Sequence, residues 1–128
     1  MQLLLDTHAL LWWFAGEEKL PEGIRQYIAK ETNNIYVSAA SAWEIATKVR
    51  LGKLPEAATL TDHLEHYLAS QGFDELPIRL SHAHRAGSLP GHHRDPFDRM
   101  LIAQALQEGL TLVSKESLFD DYGVARIW

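Results

Sequence analysis

Two features of the sequence predict a three-layer α/β/α fold with a central, mostly parallel sheet. Short apolar runs, "QLLLD", "NIYVS" and "LTLVS", alternate along the chain with segments of helical period. Strands separated by helices pair in parallel most readily, because each crossover helix returns the chain to the same end of the sheet. The size agrees: 128 residues, 46 % of them apolar, fit one domain spanning 1–128 that buries roughly two-thirds of its unfolded surface.

The elements follow in order. "QLLLD" opens as a buried strand ending at Asp6, and "THALLWWFAG" continues as a helix with Gly16 as its stop. "LPEGIRQYIAKET" reads as a second helix, with Pro21 near its start and Leu20, Ile24, Tyr27 and Ile28 on one face. "NIYVS" is a strand, and "SAWEIATKVRLG" a helix closed by Gly52. "LTDHLEHYLASQG" predicts one helix up to Gly72, "DELPI" a short extended piece, and "SHAHRAGSL" a brief helix. Pro96 to Glu108 is helical, with Asp95 as N-cap and Pro96 at the first position. "LTLVS" is a buried strand and "GVARIW" an edge strand. No repeat, low-complexity tract or linker suggests a second domain.

Composition narrows the function classes. With no cysteine, disulfides and thiolate metal sites are excluded, and a reducing, cytoplasmic setting is expected. No apolar run approaches a membrane-spanning length, so no membrane partner is expected. The formal charge of −5 is awkward for a nucleic-acid binder. If four carboxylates hold divalent cations, the remaining charge is close to neutral and the acidity reports a site.

Four acids are candidates for that site: Asp6, Glu44, Asp98 and Glu116. In a parallel α/β sheet, ligands collect beyond the carboxyl ends of the strands. Asp6 ends the first strand and Glu116 lies just past "LTLVS", so both belong to one rim. Glu44 stands in the apolar run "AASAWEIA" near the core boundary, where a charge needs a partner. Asp98 is free to turn inward if Asp95 serves the cap. Each has a plainer reading: a helix cap for Asp6, a capping box for Asp98, an i,i+4 pair with Lys48 for Glu44, and a loop or cap residue for Glu116. Their common placement favours a shared site, since clustered carboxylates repel unless positive charge is present. Oxygen-only ligands of this kind suit Mg²⁺ or Mn²⁺.

Four segments, "LLLDTHALLWW", "VSAASAWEIATKVRLGKL", "RDPFDRMLIAQAL" and "LTLVSKESLFDDYGV", together resemble a PIN domain of the VapC-type toxin branch of toxin–antitoxin systems. They extend over nearly the whole chain in the family's order and spacing. The resemblance implies a metal-dependent endoribonuclease with Asp6, Glu44 and Asp98 as core acids. Glu116 falls where the family usually has an aspartate after Thr or Ser, here Ser114, and the longer side chain makes its role as fourth ligand the open point. Asp95 matches the extra aspartate of the "DPFDR" subgroup, with capping as its expected role. The resemblance further implies a homodimer and a cognate antitoxin whose tail covers the active site.

On this reading RNA is the substrate, and hydrolysis proceeds by water attack directed by Mg²⁺ on the four acids. Thr7 and Ser114 are candidates for supporting hydrogen bonds, with turn capping an equal alternative. Arg99 is a candidate for phosphate or acid contact, and Arg50, Lys53 and Arg94 for tracking RNA. The seven histidines do not form a zinc pattern: His82 and His84, and His92 and His93, are ill spaced, and His63 and His66 lack a third ligand. "LLWWF" is expected to be partly core and partly a groove or self-association surface beside the site. Two competitors remain: a non-catalytic PIN-like binding module, and a phosphohydrolase using Asp6 as nucleophile, which is disfavoured because His8 stands where it needs a second aspartate.

Overall fold

A computed structural model describes residues 1–128. Five parallel strands form one sheet in the order β3-β2-β1-β4-β5, with β1 at Gln2–Leu5, β2 at Asn34–Ser38, β3 at Asp74–Leu76, β4 at Thr111–Val113 and β5 at Arg126–Ile127. The helices are α1 (Thr7–Ala15), α2 (Glu22–Ala29), α3 (Ala39–Arg50), α4 (Ala58–Asp62), α5 (Leu64–Ser70), α6 (Leu80–Ser88) and α7 (Pro96–Glu108).

Strand alternation divides the interior in two. Leu3 and Leu5 of β1, Ile35 and Val37 of β2, and Val113 of β4 point to one face, where they meet Leu10 of α1 and Ile24 and Ile28 of α2. Leu4 and Leu112 point to the other, packing on Leu101, Ile102 and Ala105 of α7 and on Phe119. Two apolar layers on opposite faces of one sheet are the three-layer architecture. β1 runs as three consecutive buried leucines because both its faces are covered.

Asp6, Ser38 and Asp95 cap α1, α3 and α7 with side-chain oxygens. Gly109 ends α7 with φ of 66°, where a Cβ would be strained. Two expectations are corrected. The helix predicted through "LTDHLEHYLASQG" breaks at His63, whose backbone (φ −136°, ψ 33°) leaves the helical region. Leu64 and Leu68 can then pack on the core while Leu60 lines a groove against α1. A 3₁₀ turn at Pro55–Ala57, not anticipated, precedes it and buries Ala57. Tyr27 does not share the buried face of α2; it is 45 % exposed, while Leu20, Ile24 and Ile28 are buried. No helix is long and apolar enough to cross a membrane.

Candidate functional site

The sheet brings the site residues to one edge. β1 lies between β2 and β4, with Leu5 opposite Val37 on one side and Val113 on the other. One step further, Asp6 stays in the ladder by donating its N–H to Val113 O (3.1 Å), and Ser114 donates its own to Ile127 O (3.2 Å). Asp6 and Ser114 therefore stand side by side at the carboxyl edge. Strand order reverses direction about β1, which is where parallel sheets open a crevice.

Asp6, Glu44, Asp95, Asp98 and Glu116 all line one cavity of about 120 Å³, with Thr7, His8, Lys48 and His93. Asp6 accepts from the Ala9 N–H at 2.8 Å, so the capping reading holds, yet the same carboxylate borders the cavity. Glu44 is 3 % exposed on α3. Its Oε1 accepts from the Thr7 hydroxyl (2.6 Å) and its Oε2 from Lys48 Nζ (2.5 Å), the i,i+4 pair. Asp95 caps α7 through Oδ1, accepting from the N–H groups of Phe97 (2.9 Å) and Asp98 (3.3 Å). That frees Asp98 to turn inward, where Oδ2 lies 3.0 Å from His93 Nε2. Glu116 is exposed on the rim.

The electrostatics show an excess of negative charge. Burial pushes the Asp6 carboxyl above its usual range; hydrogen bonds from Ser114 and the Ala9 N–H and the nearness of His8 act against this, and Glu116 adds to it. Burial raises Asp98 to about 6; the Asp95 and Glu44 charges push the same way, and His93 opposes them. Deep carboxylates that resist ionising call for a cation.

The donor set fits a hard divalent ion: carboxylates and hydroxyls, no thiolate, and a cavity with room for a cation and a few waters at about 30 Å³ of liquid each. Asp6, Glu44 and Asp98 would hold it, with Glu116 on the rim of the same cavity. As the side chains stand, no three of these groups bracket a single point at ligand distances. Thr7 and Lys48 between them occupy both oxygens of Glu44, whereas His93 takes only one oxygen of Asp98.

Thr7 bonds Glu44 and Ser41 (3.1 Å), locking α1 to α3 beneath the cavity. Ser114 accepts from the Glu116 N–H (3.0 Å), so its turn reading holds. Arg99 is a correction. It bonds no acid; Nε donates to Ala86 O (2.9 Å), Nη1 to His93 O (3.0 Å) and Nη2 to Leu89 O. Its place within a helix hides this, because the carbonyls it satisfies belong to the last turn of α6 and the loop that follows. Arg50, Lys53 and Arg94 are exposed. His8, His93 and Leu118 are the cavity residues that sequence reasoning did not assign to the site, and Lys48 was legible only as the i,i+4 partner of Glu44.

A five-stranded parallel sheet with acids gathered at its carboxyl edge defines an α/β protein built to hold charge in a crevice at the sheet's reversal point. The chain belongs to the PIN domain family, which matches residues 3–125. It is 29 % identical over 115 residues to Ribonuclease VapC22 of Mycobacterium tuberculosis, covering 89 % of this chain and 86 % of that protein. Ribonuclease VapC16 of the same organism is 39 % identical over 62 residues, which is 48 % of this chain and 43 % of the relative. The fold matches VapBC2 from Rickettsia felis, solved bound to a promoter DNA fragment (TM-score 0.74, 18 % identity, 99 % of this chain and 98 % of that one). It also matches FitAcB from Neisseria gonorrhoeae (TM-score 0.72, 22 % identity, 98 % and 96 %).

Proposed function

We propose that this chain is a Mg²⁺-dependent endoribonuclease that acts in the cytoplasm, as a single domain, as the toxin of a toxin–antitoxin pair. The observation that carries the reading is the convergence of Asp6, Glu44, Asp98 and Glu116, remote in sequence, on one cavity in which two carboxylates resist ionisation. The similarity to proteins named ribonucleases supports the choice of RNA.

Divalent ions in such a site activate water and neutralise charge on a phosphate. The chain's own residues supply the rest. Asp6 is fixed by its cap bond, Glu44 by Thr7 and Lys48, and Asp98 by His93, so each carboxylate has at least one anchored oxygen. Lys48 pairs with Glu44 and puts positive charge on the cavity lining, where a phosphate would be met. The exposed rim at Glu116 and Leu118 leaves the cavity open to a chain-like substrate.

Beside the cavity, and sharing His8 with it, runs a groove of about 730 Å³ lined by Leu11, Trp12, Phe14, Leu54, Leu60 and Tyr67. Its apolar floor suits one face of an amphipathic antitoxin segment. A basic residue at that segment's end would reach the acids and oppose cation binding. The neighbouring VapBC structure supports an antitoxin partner. Self-association as a homodimer belongs to the same reading.

The test is cleavage of RNA by purified protein with Mg²⁺ or Mn²⁺, its loss in EDTA, and relief of growth arrest by Asp6→Ala. Absence of cation-dependent cleavage by folded protein sinks the enzyme assignment. One observation favours a second reading, a non-catalytic binding module: Lys48 already satisfies Glu44, and the fourth acid is exposed. RNA binding without cleavage across a cation titration would select it. Added antitoxin should abolish cleavage and its degradation restore it.

A further inference from the structure

The connection from α6 to α7 is fastened more firmly than a linker requires. Arg99 reaches back from the first turn of α7 to carbonyls of Ala86 in the last turn of α6, of Leu89 where the connection begins and of His93 towards its far end. From the opposite side, the Tyr122 hydroxyl accepts the His93 N–H at 3.2 Å. Gly91 has φ of +95°, and a Cβ there would fall 2.6 Å from the Tyr122 hydroxyl oxygen, so the loop lies directly on that ring. The imidazole of His93 rests edge-on to Phe119, centroids 6.1 Å apart. All of these contacts set one ring, whose Nε2 lies 3.0 Å from Asp98 Oδ2.

We infer that His93 is a positioning residue for Asp98: the loop clamp holds its imidazole so that Oδ2 is anchored and Oδ1 is presented to a cation in the cavity. Oδ1 has no side-chain or backbone donor, and Asp98 lines the cavity. Both the neutral Nε2–H tautomer and the imidazolium donate to Oδ2, so the role does not depend on the charge of the ring. A partner that fixes a ligating carboxylate is worth roughly 10- to 100-fold in metal affinity. The inference rests on the proposed cation site and is tested apart from RNA cleavage.

The measurement is Mn²⁺ binding to the full chain, read by electron paramagnetic resonance of free Mn²⁺, for wild type, His93→Ala, His93→Gln and Asp98→Ala. Glutamine places an N–H about as far from the backbone as imidazole Nε2. His93→Ala should bind about 10-fold more weakly, and His93→Gln should recover to within about 3-fold of wild type. A purely structural role for the ring predicts no such rescue. Wild-type affinity in His93→Ala, or equal losses in both histidine variants, overturns the inference while leaving the site intact if Asp98→Ala has lost binding. Failure of wild type itself to bind Mn²⁺ at millimolar concentration overturns both the inference and the site.

Discussion

Asp98→Asn should make the metal-free protein more stable, with a gain that grows from about pH 4 and is complete above about pH 6. In the folded chain the Asp98 carboxyl is raised from 3.8 to about 6, first by burial and then by the Asp95 and Glu44 charges. Each unit is worth about 1.4 kcal/mol, so the shift amounts to at most about 3 kcal/mol. The side chain is 26 % exposed and solvent screens part of this, leaving about 1–2 kcal/mol. Below about pH 4 the group is protonated in both folded and unfolded chains and costs nothing. As pH rises through 4 to 6 the unfolded chain ionises first, stability falls, and above 6 the whole penalty is present. Asparagine never ionises, suits the helix start and can still accept from His93. Thermal unfolding by circular dichroism in EDTA should therefore show equal midpoints near pH 4 and a gain of roughly 4–8 °C for the variant at pH 7.5. The same substitution should remove any stabilisation by Mn²⁺. A variant less stable than wild type at pH 7.5, or one shifted equally at both pH values, would refute the charge-crowding argument.

Four other outcomes follow from the structure. Mg²⁺ or Mn²⁺ at about 100 times its dissociation constant should stabilise wild type by about 2.7 kcal/mol, a midpoint rise that EDTA abolishes. Leu101→Ala should lose about 2–5 kcal/mol in urea unfolding, because this fully buried side chain fills the layer between α7 and Leu4. Ser38→Ala removes the α3 cap and the donor to buried Gln104 Oε1 (2.5 Å), for a loss of about 2–4 kcal/mol by the same measurement. Arg99→Lys cannot reach three carbonyls from one ammonium, so cleavage of residues 89–95 by a nonspecific protease should accelerate several-fold with the rest of the chain resistant.

What could be read beforehand was what local chemistry determines. Strand and helix periods, the Asp95–Pro96 start of α7 and the stop at Gly109 are written in neighbouring residues. So was the rim shared by Asp6 and Glu116, which needs only the rule that parallel strands end together. The break at His63 was not, because "LTDHLEHYLASQG" is good helix sequence and the bend serves the packing of Leu64 and Leu68 against a distant sheet. His93 was discounted as a zinc ligand by its adjacency to His92, while its actual partner lies five residues on, across a loop whose path Arg99 and Tyr122 determine. The bond between Ser38 and Gln104 spans 66 positions and leaves no trace in either neighbourhood.

The placement of β1 has a consequence for how the protein is made. The first strand to leave the ribosome is the middle one of the finished sheet, and one of its two neighbours, β4, begins only at Thr111. Asp6 therefore waits for Asp98 and Ser114 to be made before the crevice can close around it. Nascent chains interrupted before that point carry half a crevice, so whatever chemistry the acids perform is withheld from incomplete products by topology alone.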